Sequence, residues 1–291
     1  MAKGVFRTPV FLFGSTRSGV GKSTILAHLA VYFHGRGKKV AIVDTNHAFP
    51  LQLRGILPKT IPLESYADLA EISTQISPRF RRSFYFTNTD RLSLFPAYKI
   101  GDPGRFLEDT VLRDFFLQVR SSFDLIFLNL PPGTTSFHAF ESFAGRRNPR
   151  DSFPTIGVLT TDTDLRSLAI LDHLFRSRPA LQFLLPQQML VLFNRVPGTL
   201  EEQSIASPSL SPTEVRSLFR LPLSISIPLL KEFSLQTMSP GSLVMEENNP
   251  IRGPISRLAR ILLDLTEGNS SLEADHDDLF HPCLDPALLG R

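Results

Sequence analysis

The sequence predicts an α/β protein: a doubly wound, mostly parallel sheet with helices on both faces. Three observations carry this prediction. Short, wholly apolar runs alternate with segments of helical spacing, as strands buried on both faces require. A glycine-bearing loop separates the first such run from the first helical segment. Asp44, Asn129 and Asn194, like that loop, fall just past predicted strand ends. Open parallel sheets keep their ligands there.

The elements follow in order. Residues 10–13 form an apolar run ending at Gly14, and residues 23–34 place Ile25, Leu26, Leu29, Ala30 and Phe33 on one helical face. Gly35 and Gly37 stop that helix. Residues 40–43 (VAIV) and 92–95 (LSLF) read as buried strands, the first leading to Asp44 and the second to Pro96. Residues 107–119 have helical spacing, and residues 125–128 (LIFL) end at Asn129 and the turn Pro131-Pro132-Gly133. Residues 156–159, 190–193 and 223–227 complete the strands, and residues 165–175 and 255–265 are amphipathic helices. Residues 144–154 and 197–212, rich in Pro with Arg or Ser, read as excursions from the sheet.

Composition sets bounds. With 42% hydrophobic and 20% charged residues, the 291-residue chain can fill one sizeable core. The single cysteine, Cys283, excludes a disulfide framework within the chain and any site needing two cysteines from it. No apolar run reaches the roughly 18 residues of a spanning helix, and no cleavage site follows an apolar leader. A cytoplasmic protein is the expectation. The net charge of +3 divides unevenly: residues 267–291 carry six acids and one base, leaving about +8 on residues 1–266. We therefore expect one folded unit over residues 1–266 and an acidic, flexible tail over 267–291. Leu279-Phe280 and Leu288-Leu289 in that tail could dock on a partner. The basic excess admits contact with nonspecific DNA, with Arg79, Arg81 and Arg82 as the best local cluster, interleaved with Phe80, Phe84 and Tyr85.

The loop carries the chemistry. Arg17, Ser18, Gly19, Val20, Gly21, Lys22, Ser23 and Thr24 lie between a strand and a helix. Glycines let successive N–H groups turn inward onto one phosphate, and the helix aims its positive end at the same anion. Lys22 would bridge the terminal phosphates of ATP, and the Ser23 hydroxyl would join the shell of a Mg2+ ion.

The spacing departs from the common phosphate loop, which has glycine where Thr16 stands. Residues 17–24 (RSGVGKST) resemble instead the deviant Walker A loop of the MinD/ParA family of dimerising ATPases. The likeness extends over about residues 10–265: Asp44-Thr45-Asn46 resembles the family's Asp-x-Asp motif, and Asn129-Leu130-Pro131-Pro132-Gly133 its Walker B turn. Leu94-Phe95-Pro96-Ala97 is similar to a strand of the FlhG-like branch, and Val158 to Asp164 to the switch strand. Phe193-Asn194-Arg195 and Ile227-Pro228 resemble the segments that flank adenine. The resemblance implies an ATPase that binds ATP and Mg2+ and forms a homodimer on ATP. Its dimer acts on an unidentified protein partner that positions or counts a cellular assembly. By the same resemblance, Asn194, Arg195 and Pro228 hold the base, and Ser23, Asp44 and Asn129 stand at the metal. Arg17 takes the place of the signature lysine that reaches the partner's nucleotide.

Two departures fall on the chemistry. Asn46 replaces the aspartate that positions the attacking water, and Asn129 replaces the Walker B aspartate. An asparagine carbonyl still accepts a hydrogen bond, but it is no base near neutral pH. Slow hydrolysis follows, or a pseudo-ATPase scaffold, unless Asp44, Asp162 or Asp164 compensates. Asp162 and Asp164 otherwise read as loop caps, and His47 as a surface or core residue. A dethiobiotin-synthetase-like enzyme is the rival from another class. Iron–sulfur relatives are nearly excluded by the lone cysteine, and no basic membrane-anchoring helix is visible at the acidic C-terminus.

Overall fold

The computed structural model describes residues 8–47, 52–57, 92–97, 119, 122–133, 136, 138, 140, 155–177, 189–196, 224–228 and 251–267. The chain runs β1 (Val10–Ser15), α1 (Lys22–Gly35), β2 (Val40–Asp44), α2 (Gln52–Ile56) and β3 (Leu92–Pro96). It continues with β4 (Leu125–Asn129), β5 (Thr155–Thr161), α3 (Leu165–Ser177), β6 (Met189–Val196), β7 (Ser224–Pro228) and α4 (Arg252–Glu267). The seven strands form one sheet in the order β3-β2-β4-β1-β5-β6-β7. Every pairing is parallel, so the expected mostly parallel sheet is wholly parallel among the described residues.

β1 is central, with β4 on one side and β5 on the other. All six of its residues are buried, which is why it reads as a continuous apolar run rather than an alternating one. The chain first builds outward to β3, returns to place β4 beside β1, and then builds the other way through β5, β6 and β7. The reversal puts the carboxyl ends of β1, β4 and β5 at the switch point, where doubly wound sheets bind ligands.

An aromatic cluster ties this centre together. The Phe127 ring on β4 meets Phe11 at 5.5 Å, Phe13 at 5.1 Å and Phe33 of α1 at 6.0 Å between centroids. Such pairs contribute about 0.5–1.5 kcal/mol each beyond their buried area. The single apolar face expected of α1 is an underestimate: Ala27, His28, Val31 and Tyr32 are buried too. Its outer side is covered by Ile255, Leu258, Ala259 and Leu262 of α4, which join the same core, and a helix buried all round loses its amphipathic signature. α4 begins three residues earlier than its apolar spacing suggests, because Pro254 sits in the first turn, where a missing N–H leaves no bond unmade. The five-residue α2 was not anticipated.

Of the expected helix at residues 107–119, only Val119 is among the described residues. The excursions at 144–154 and 197–212, the Arg79–Phe80–Arg81–Arg82 cluster and residues 268–291 also lie outside them. Among the described residues no helix is long and apolar enough to cross a membrane.

Candidate functional site

The site is assembled at the carboxyl edge around the β1–α1 loop. Gly19 and Gly21 take φ values of 80° and 89°, a left-handed conformation that costs other residues roughly 1–2 kcal/mol. Gly21 also caps α1, with no side-chain bond to the cap and no acid in the first turn. The first N–H groups of α1 are thus left without a side-chain acceptor, as an anion site requires.

Lys22, the first residue of α1, is only 6% exposed and reaches back beneath the loop. Its ammonium donates to Asn129 Oδ1 and to the Leu130 carbonyl. The Asn129 amide donates in turn to Asp44 Oδ1 at 2.8 Å, and the Asn46 backbone N–H donates to the same oxygen at 3.1 Å. Strand register makes this chain of contacts: Asp44 of β2 is paired with Asn129 of β4, the neighbour of β1. Burial pulls the Lys22 ammonium down to about 7, against the opposing pull of the Asp44 charge. Burial likewise raises the Asp44 carboxyl to about 6, against its bonds to Asn129 and Asn46 and the charge of Lys22. Both charges are held at a cost that a bound polyanion and cation would relieve.

The residues fit a magnesium nucleotide. Asn46 is 2% exposed, and its Oδ1 has no hydrogen-bond partner, an orphaned acceptor that a buried site otherwise avoids. Asp44 supplies a carboxylate, and Asn129 and Ser23 supply neutral oxygens. The Ser23 hydroxyl donates to Gln52 Oε1 of α2 at 3.1 Å, a residue that no sequence motif marks. His47 is exposed.

Asn194 lies inside β6 rather than past its end, where the pairing with β7 slips between Phe193 and Val196. Its amide donates to the Val20 carbonyl at 2.8 Å, clamping the loop. A Cβ on Gly21 would stand 2.2 Å from Asn194 Nδ2, so glycine is needed there for space as well as for φ. Arg195 follows on β6, and Pro228 on β7 pairs with Val196. Ser18 and Gly19 form the exposed crest of the loop, Val20 is buried, and Thr24 is half-buried in the first turn of α1.

Arg17 is held within its own chain. Its Nη2 pairs with Asp162 Oδ2 at 2.6 Å and approaches Asp164 Oδ2 at 3.8 Å, while Nε donates to Ser167 Oγ of α3 at 2.7 Å. Asp164 also caps α3, accepting the Arg166 N–H at 2.7 Å. The loop-cap reading therefore fits Asp164, whereas Asp162 is mainly the partner of Arg17. Thr16, where the common loop has glycine, pairs its hydroxyl with that of Thr161 at 3.0 Å. This joins the loop to the end of β5.

The model of the CobQ/CobB/MinD/ParA nucleotide-binding domain matches residues 11–234. No curated protein sequence matches significantly. Among solved structures, the MinC:MinD cell division protein complex of Aquifex aeolicus aligns with 88% of this chain and 95% of its own, at 19% identity and a TM-score of 0.60. A ParA family ATPase from Chlorobium tepidum TLS gives 88% and 99%, 19% and 0.60. The septum site-determining protein MinD of Pyrococcus horikoshii, complexed with Mg-ADP, gives 92% and 97%, 17% and 0.54. At these identities the likeness is one of fold.

Proposed function

The chain belongs to the CobQ/CobB/MinD/ParA nucleotide-binding family, and from that premise we propose that it is an ATP- and Mg2+-binding switch that dimerises on ATP. The observation that carries this reading is the buried Lys22–Asn129–Asp44 chain beneath a helix N-terminus that has no side-chain cap. Phosphate oxygens give the Lys22 ammonium charged acceptors in place of a neutral amide and a carbonyl, a stronger bond in the same dry surroundings. Bound magnesium would supply charge neutralisation at the phosphates; Ser23, Asp44 and Asn129 are the residues that would hold it, with Asn46 beside them. Asn194 and Arg195 on β6 and Pro228 on β7 are assigned to the base.

The dimer is the form that acts on a protein partner, positioning or regulating a cellular assembly. In the free chain Arg17 is sequestered by Asp162 and Ser167, so dimer formation through Arg17 requires it to leave them. Hydrolysis is slow in this reading, because Asn46 and Asn129 carry no charge toward the reaction. The Asn129 amide favours a second reading, a nucleotide-stabilised scaffold without turnover: it donates to Asp44, which an aspartate could do only when protonated. Phosphate release by the wild type and by Asn46→Asp/Asn129→Asp separates the two. The switch reading predicts slow wild-type turnover that the reversions raise by about a hundredfold or more. No release by wild type at any protein concentration supports the scaffold.

A further inference from the structure

The far end of α1 carries a second concave feature, a groove of about 530 Å³ between α1 and α4. α1 is 14 residues long, so the groove lies about 20 Å from Lys22 and apart from the loop. Tyr32, Arg36, Lys38, Arg257, Arg260 and Leu263 line it, and none of its described lining residues is acidic. The Arg36 guanidinium lies 3.7 Å over the Tyr32 ring, and the Tyr32 hydroxyl bonds Ser256 at 2.7 Å. The aromatic is fixed from both sides. Arg257 and Arg260 project from the exposed face of α4, whose opposite face is buried in the core.

The basic side chains Arg36, Lys38 and Arg257 around an apolar floor match an acidic segment with an apolar end. The chain contains one. Glu273, Asp275, Asp277 and Asp278 are followed directly by Leu279 and Phe280. The helix that lines the groove leads into that segment, since α4 ends at Glu267. Return along α4 from Glu267 to Arg257 is about 15 Å at 1.5 Å per residue. Extended chain covers about 20 Å by Glu273 and about 35 Å by Asp278, so the acids reach the groove without unwinding the helix. We propose that residues 273–280 dock intramolecularly in this groove, the acids against Arg36, Lys38 and Arg257, and Leu279 and Phe280 against Tyr32 and Leu263.

Cys283, the only cysteine, gives the test in the full-length chain. A nitroxide on Cys283 should broaden the NMR signals of Leu263, Ala259 and the Gly253 amide at low salt, with the signals of β3 unaffected. Salt at about 1 M, where the Debye length is roughly 3 Å, should restore them. Lys38→Glu/Arg257→Glu should also restore them, and adding Asp275→Arg/Asp277→Arg should bring the broadening back. Absence of broadening in the wild type at low salt overturns the proposal. So does broadening only of isotope-labelled chains mixed with separately spin-labelled ones, which is docking between copies. A groove that binds anionic vesicles or polynucleotide equally well with Asp275→Asn/Asp277→Asn/Asp278→Asn and with the wild-type tail also overturns it, because a docked tail must compete.

Discussion

Replacing Gly21 by alanine tests the geometry of the loop. Two costs arise. The left-handed φ of 89° costs an alanine about 1–2 kcal/mol. The new Cβ, 2.2 Å from Asn194 Nδ2, also forces the amide off the Val20 carbonyl, forfeiting a buried hydrogen bond of about 1 kcal/mol. Gly21→Ala should therefore lower stability by about 2–3 kcal/mol and remove stabilisation by ATP. Asn194→Ala alone should cost about 1 kcal/mol. In the double variant the clash is gone and the bond is lost only once, so the pair should fall short of additivity by about 1 kcal/mol. Gly19→Ala is the control: its φ of 80° is as strained, but nothing lies within 4 Å of the added Cβ. It should cost only the strain, additively with Asn194→Ala. Equilibrium urea unfolding reads all five variants against the wild type. Additivity of Gly21→Ala with Asn194→Ala to within about 0.3 kcal/mol would refute the clamp.

Asp162→Asn weakens the hold on the partly exposed Arg17, and pairs of that kind contribute about 0.2–1 kcal/mol. Each dimer frees two such pairs, so ATP-dependent dimerisation, followed by size-exclusion light scattering, should then need roughly two- to thirtyfold less protein; an unchanged or higher requirement contradicts the release of Arg17. Asp44 lies above its unfolded value of 3.8, near 6, chiefly through burial. Its stabilising contribution is therefore present below about pH 4 and is lost as the pH rises through 6. Asp44→Asn should match the free wild type below pH 4 and exceed it above pH 6 by up to about 3 kcal/mol, less whatever Lys22 loses with its counter-charge; a pH-independent difference excludes a buried charge there. Asn129→Asp places a second carboxylate where an amide now donates 2.8 Å from Asp44. Thermal unfolding of the free variant should fall above pH 6 and recover with Mg2+ and ATP. Lys22, lowered to about 7 by burial, should take up a proton when phosphate binds. Calorimetry in buffers of different ionisation enthalpy near pH 8 should show that uptake, and buffer-independent heats would argue against it.

The sheet was legible because its strands are covered on both faces and so read as unbroken apolar runs such as VFLF, VAIV and LIFL. Their ends identified Asp44 and Asn129, and the register of β2 on β4 brings the two side by side. Helix faces were less legible where burial is nearly complete, as on α1, since covering both sides erases the polar stripe. The contacts of Arg17 were not legible at all. Ser167 lies 150 residues away and Asp162 lies 145 away, and only the placement of β5 beside β1 makes them neighbours. Gln52 and Thr161 escaped for the same reason: single polar residues acquire a role from topology, not from a local pattern. Asn194 was found by resemblance to a base-reading residue, yet its clamp on Val20, made beside a register slip between β6 and β7, is announced by no sequence pattern.

In the proposed function, the loop at residues 17–24 holds the phosphates of a magnesium nucleotide through Lys22. Isothermal titration of ATP into the full-length chain with Mg2+, beside the same titration of Lys22→Met, decides whether it does. One site per wild-type chain is predicted, with unfolding displaced by about 2.7 kcal/mol at a hundredfold excess over Kd and neither effect in the variant. No heat and no stabilisation in the wild type, or equal binding by Lys22→Met, would contradict the account.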